Sequence, residues 1–221
     1  MKRILQTLLC LALLVFLANQ AKAQTTVTYT LDNAGYYTTR TNSAGAYTST
    51  GEWRMWANGG GAKEVVSYRN FKTQGDNGGS DRSLQVGDRV DVTVSATAAT
   101  GHIGFSLNAG NNTTDYSTRN TNSRLYVQVD GTTGSWYVNH NGGNTSLSYN
   151  VNTTRRDYEF RIFITSQTTC NVEFYVNGGF HSRLFNLTMN GSAGANISGF
   201  SLYLKDDWNG SANSDIYWKQ N

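Results

Sequence analysis

The sequence contains no proline. Every tight turn must therefore come from residues that tolerate a positive φ, chiefly glycine and asparagine. Cysteine is almost as scarce, with only Cys10 and Cys170. Cys10 lies in an apolar leader, so the remainder of the chain has one thiol and cannot form an internal disulfide. Charge is sparse, at 15% of residues, and basic runs are nearly absent beyond Arg155-Arg156. After Leu17 no apolar stretch is long enough to span a bilayer. Catalytic signatures are missing too. There is no G-x-S-x-G elbow for a serine nucleophile. The three histidines and one remaining cysteine lack zinc-ligand spacing.

The leader itself is informative. Lys2 and Arg3 precede an apolar run from Ile4 to Leu17, and Ala21-Lys22-Ala23 supplies small residues for cleavage before Gln24. This is the pattern of a secretory signal over 1–23, followed by one domain over 24–221 in the periplasm or outside the cell. Its removal takes Lys2, Arg3 and Lys22 from the 18 basic residues, leaving 15 against 15 acidic ones. The mature chain is formally neutral, which argues against nucleic acid as a partner.

What is present reads as β structure. Thr, Val, Tyr, Asn and Gly dominate, and Asn-Gly pairs occur at 58–59, 141–142, 177–178, 190–191 and 209–210. Such pairs between alternating runs are strong hairpin signals. The clearest runs lie between Asp157 and Asn177. Tyr158, Phe160, Ile162 and Ile164 share one face, and Cys170, Val172, Phe174 and Val176 share one face of the return strand. A hairpin with one apolar face needs a second sheet to cover it. Short alternating segments recur at Thr25–Leu31, Glu52–Ala57, Glu64–Phe71, Arg89–Thr97, His102–Asn108, Arg124–Asp130 and Ser135–Asn139. More follow at Thr145–Tyr149, Ser182–Thr188, Ile197–Leu204 and Ser214–Lys219, whereas Asp32–Gly51 reads as loop or irregular edge. Without a fixed repeat period, this series predicts an all-β, two-sheet antiparallel sandwich.

Three stretches carry a resemblance: EWRMWANGGGAKEVVSYRNF with LQVGDRVDVTV and GHIGFSLN, NVEFYVNG at 171–178, and ISGFSLYLKDDWNGSANSDIYWK at 197–219. Together they resemble the concanavalin A-like lectin/glucanase superfamily, including its laminin-G-like members. The resemblance implies a jelly roll and a carbohydrate-facing role, as lectin, glycan-binding module, hydrolase or lyase. Glucanases of this superfamily carry Glu-x-Asp-x-x-Glu on one strand, and no such run occurs here. Glu159 and Glu173 fall on the outward set of the hairpin with Arg161, where they read as solvated or cross-strand charges. Jelly-roll polysaccharide lyases carry Arg, Gln, His and Tyr on a concave sheet, with a C-terminal Tyr-Phe-Lys motif. Ile216-Tyr217-Trp218-Lys219 and Tyr158-Glu159-Phe160-Arg161 echo these faintly. The paired Gln-x-His is missing, and His102, His140 and His181 stand in no comparable setting.

The expected function is therefore a non-catalytic, lectin-like protein that holds a polysaccharide or glycan by aromatic stacking and polar loop contacts. The candidate ligand-binding residues are Trp208, Asn209, Trp53 and Arg69. Asp206, Asp207 and Asp215 gather oxygen ligands suited to calcium, though without EF-hand spacing and in residues equally at home in a turn. The competing readings are a structural or adhesive module that binds a protein or the cell envelope, and a polysaccharide lyase or glycoside hydrolase.

Overall fold

The computed structural model describes residues 37–41, 44–57, 63–74, 79–97, 101–110, 121–130, 134–141, 143–151, 154–191, 196–206 and 216–219. The signal reading over 1–23 and the strand expected at Thr25–Leu31 lie outside these residues. Among the described residues no helix is long and apolar enough to cross a membrane.

The fold is all-β. In chain order the strands are β1 (Tyr37–Arg40), β2 (Ala44–Ser49), β3 (Glu52–Ala57), β4 (Lys63–Asn70), β5 (Arg89–Ala96), β6 (His102–Ala109) and β7 (Ser123–Asp130). They continue as β8 (Ser135–His140), β9 (Gly143–Asn150), β10 (Arg156–Ile164), β11 (Thr169–Val176), β12 (Gly179–Thr188), β13 (Ile197–Asp206) and β14 (Ile216–Lys219). Two seven-stranded antiparallel sheets result. One, here sheet A, has the order β1-β4-β13-β6-β7-β8-β9, and the other, sheet B, has β12-β11-β10-β5-β14-β3-β2.

The β10–β11 hairpin sits as the alternation predicts, with Phe160 opposite Phe174 and Ile162 opposite Val172. Its apolar face is buried, apart from the half-buried Val176, and meets sheet A directly. Phe160 lies 5.5 Å from Phe105 of β6 and 4.9 Å from Trp136 of β8. Tyr158 lies 5.4 Å from Trp136, and Trp218 of β14 packs edge-on against Phe105. Offset and edge-to-face aromatic contacts of this kind add to the burial of large rings. Cys170 is sealed in the same layer, where burial pushes its thiol up to about 12. It is a packed apolar residue, not a nucleophile.

Asp32–Gly51, ambiguous in the sequence, contributes two edge strands. β1 pairs β4 at the margin of sheet A, and β2 pairs β3 at the margin of sheet B. Both are edge strands, with one side of each strand left outside the ladder.

Candidate functional site

Four of the expected site residues lie outside the described residues: Asp207, Trp208, Asn209 and Asp215. Asp206 closes β13. Among the described residues no group of three or more His, Cys, Asp or Glu could hold a metal ion. The other two candidates, Trp53 and Arg69, are placed, and both are buried. Trp53 is 1% exposed and belongs to the core, where its indole Nε1 donates to Ser67 Oγ across the sheets at 2.9 Å. Arg69 is 4% exposed, on the inward face of β4 with Val65 and Ser67. Neither side chain is open to a ligand. Alternation in EWRMWA and EVVSYRNF allowed either face, and burial of the larger apolar set chose the inward one.

The polar constellation lies elsewhere, on the outward face of sheet A. Residues that alternate with the core set of β13, β6, β7 and β8 line up across the sheet. Tyr203 is in register with Gly104, Gly104 with Gln128, and Gln128 with Tyr137. The Tyr203 hydroxyl donates to Gln128 Oε1 at 2.8 Å. The Gln128 amide Nε2 donates to His102 Nδ1 and to the Tyr137 hydroxyl, each at 2.7 Å. One glutamine thus binds together four strands' worth of donors and acceptors. Gly104 makes this possible, because a Cβ there would collide with the Tyr203 hydroxyl and the Val127 carbonyl.

A second row runs beside the first. Tyr68, Ser201, Ser106 and Tyr126 are successive cross-strand partners, and Asn108 Nδ2 donates to Ser201 Oγ at 2.8 Å. Tyr126 and Tyr137 meet edge-on at 6.3 Å. The middle of this face is sealed from solvent: Tyr203, Gln128, Ser106, Ser201 and Asn108 are all buried although they point away from the core. The surrounding rings of Tyr68, Tyr126, Tyr137 and His102 are only half-buried. Among the described residues Ser106 Oγ and Asn108 Oδ1 are buried without a hydrogen-bond partner. Such atoms cost about 1–3 kcal/mol each unless a further polar group reaches them.

His102 therefore stands in a setting that the sequence alone did not reveal. The segments that echoed lyase motifs lie on the opposite sheet. Trp218 is core, and Tyr217 and Lys219 of β14 belong to sheet B, as do Tyr158 and Arg161 of β10. The outward carboxylates of the hairpin are ion-paired as expected. Glu159 accepts from Arg161 at 2.6 Å, and Glu173 is paired with Arg183.

No family model matches the chain, and no curated protein matches it in sequence. Solved structures do. An endo-β-1,4-glucuronan lyase from the fungus Trichoderma reesei is similar with a TM-score of 0.53 and 10% identity, over 88% of this chain and 93% of that one. The carbohydrate recognition domain of Emp46p, in a potassium-bound form, gives 0.52 at 10% identity over 87% and 94%. The alginate lyase vAL-1 from Chlorella virus gives 0.50 at 10% identity over 88% and 98%. What these likenesses show is the fold, a two-sheet antiparallel β-sandwich. At such identity the likeness is one of fold, and function rests on the site.

Proposed function

We propose that the protein is a lectin-like carbohydrate-binding protein whose glycan lies along the outward face of sheet A. The observation that carries this reading is the Tyr203–Gln128–His102/Tyr137 network. Polar groups on an outward sheet face normally bond to water, and burying them in a network fixes their positions at a cost in desolvation. Here the network holds Tyr137 and His102 at the rim, beside Tyr126 and Tyr68. Half-exposed tyrosine rings offer the apolar C–H face of a pyranose a stacking surface, and their hydroxyls and the histidine serve its hydroxyl groups. The reading is non-catalytic because Tyr203 is 0% exposed and Gln128 has spent its carbonyl and its amide on neighbouring side chains. The lyase and lectin neighbours are consistent with this reading at the level of fold.

A polysaccharide lyase is the second reading. It is favoured by the convergence of a tyrosine, a glutamine and a histidine on one face, and by Tyr203-Leu204-Lys205, which has the spacing of the lyases' Tyr-Phe-Lys. In such a reaction a base takes the C5 proton of a uronate. The C4–O bond breaks, its electron pair leaves with the glycosidic oxygen, which is then protonated, and a C4–C5 double bond remains.

One experiment addresses both. The purified protein is run by affinity electrophoresis through gels containing alginate, polyglucuronate or a neutral β-glucan, and the same polymers are followed for the ultraviolet absorbance of unsaturated uronate. Retardation by at least one polymer, weakened in Tyr137→Ala and Tyr126→Ala and without new absorbance, is the expected result. Absorbance that disappears in Tyr203→Phe would establish the lyase instead. Absence of retardation by every polymer would sink the glycan reading of this face.

A further inference from the structure

The outward face of sheet B carries a different feature at its β12 edge. Large apolar side chains are seldom exposed on the described surface, yet Val86, Phe180 and Phe185 are 59%, 59% and 61% exposed. Val86 and Phe185 line a groove of about 460 Å³, together with Phe163, Asn171, Glu173 and Arg183. Its architecture follows from the strand order. Phe163 stands on β10 and Phe185 on β12, with β11 between them contributing Asn171 and Glu173. Strands two apart are separated by about 10 Å, so two rings flank a polar floor at a spacing that admits a sugar ring. Arginines hold both rings. The Arg89 guanidinium lies 5.8 Å from the Phe163 centroid and that of Arg183 5.4 Å from Phe185.

We propose that this groove is a second glycan site, specific for a neutral pyranose and separate from the outward face of sheet A. Ring walls match the apolar faces of the sugar, and the amide, carboxylate and guanidinium of the floor match its hydroxyls as acceptors and donors. Neutrality of the ligand follows from charge balance. Arg183 is paired with Glu173, Arg161 with Glu159 and Arg89 with Asp91, so no cation is left uncompensated among these three to select an anionic sugar. The inference does not depend on the glycan reading of sheet A.

The test titrates the purified protein calorimetrically with cellotetraose, laminaritetraose and mannotetraose. The variants are Phe185→Ala, Phe180→Ala and Tyr137→Ala, with thermal melts confirming that each stays folded. Binding of at least one tetrasaccharide is expected. It should weaken about fivefold or more in Phe185→Ala, in keeping with the loss of one aromatic contact. Phe180→Ala, which lies outside the groove lining, should keep that affinity. Failure of all three sugars to bind, or affinity unmoved by Phe185→Ala, overturns the proposal. So does sedimentation showing a dimer that Phe185→Ala dissociates, because the groove would then belong to a second copy of the chain. If Tyr137→Ala alone weakens binding, this proposal fails while the sheet A reading stands.

Discussion

At the scale of single residues, the site on sheet A depends on one missing side chain and one hydroxyl. Gly104 leaves the space that the Tyr203 ring crosses to reach Gln128. Gly104→Ala should overpack this contact and cost about 1–3 kcal/mol in urea unfolding. Tyr203→Phe keeps the volume but strands Gln128 Oε1 without its donor, and should cost a similar ~1–3 kcal/mol. If both variants melt like the parent, the network is not a structural element of the face. A separate pH dependence belongs to Glu173. Burial raises its carboxyl pKa, but hydrogen bonds from Tyr175 and Arg183 outweigh burial and hold it below the ordinary 4.5. A depressed folded-state pKa means the unfolded chain takes up the proton more readily. The stabilisation is therefore complete above about 4.5 and is lost as pH falls through the depressed value. Glu173→Gln should remove that part of the acid limb when melting temperature is followed against pH, with little change in the shape of the curve near neutrality.

At the scale of elements, the β10–β11–β12 meander shows both what was legible and what was not. Strict alternation identified the core face of β10 and β11, and Asn177-Gly178 marked the next turn. Both turn residues have positive φ, 50° and 77°, and they join Val176 to Gly179 as a two-residue hairpin loop. Gly178→Ala forces a Cβ into the left-handed region and should cost about 1–2 kcal/mol by chemical denaturation. Phe160→Ala, which removes a ring packed on Phe105, Trp136 and Phe174, should cost about 3–5 kcal/mol. The site was illegible for a reason the same strands make plain. Alternation says which residues leave the core, but not which of them become neighbours across strands. Gln128 and His102 are 26 residues apart, and Gln128 and Tyr203 are 75 apart. Gln128 meets His102 across the β6–β7 pair, and it meets Tyr203 because β13 inserts between β4 and β6. The available signal was glycine within the strong strand HIGFSLN, which marks a close approach from a neighbour. Tryptophan misled in the other direction. Trp53 alternates correctly for either face, and its large apolar area sent it to the core.

At the scale of the whole molecule, the two sheets are joined by more than apolar packing. Arg124 of β7 is 2% exposed and reaches from sheet A to loops that serve sheet B. Its guanidinium donates to the carbonyl of Asn190, after β12, and at 3.4 Å to that of Gln167, in the β10–β11 turn. Asn190 returns the contact once and adds a second bond to β8. Its amide N donates to the Arg124 carbonyl at 2.7 Å, and its Nδ2 donates to Asn139 Oδ1 of β8 at 3.0 Å. Gly191 takes a positive φ of 84° directly against Arg124, where a Cβ would press on the guanidinium. Burial lowers the pKa of Arg124, and a guanidinium is a group that keeps its charge in proteins. Hydrogen bonds to a charged donor are worth about 1.5–3 kcal/mol, and here they close the end of the sandwich where three chain segments meet. Arg124→Met preserves much of the side-chain volume while removing the donors. It should destabilise the protein by at least about 1.5–3 kcal/mol. Hydrogen exchange should show the increase first at Met189 and Asn190, whose amides bond to Thr168 and Arg124. Uniform acceleration across both sheets would instead mean that the clamp contributes only to global stability. Unchanged exchange at those two amides would mean that apolar packing between the sheets is enough to hold this end closed.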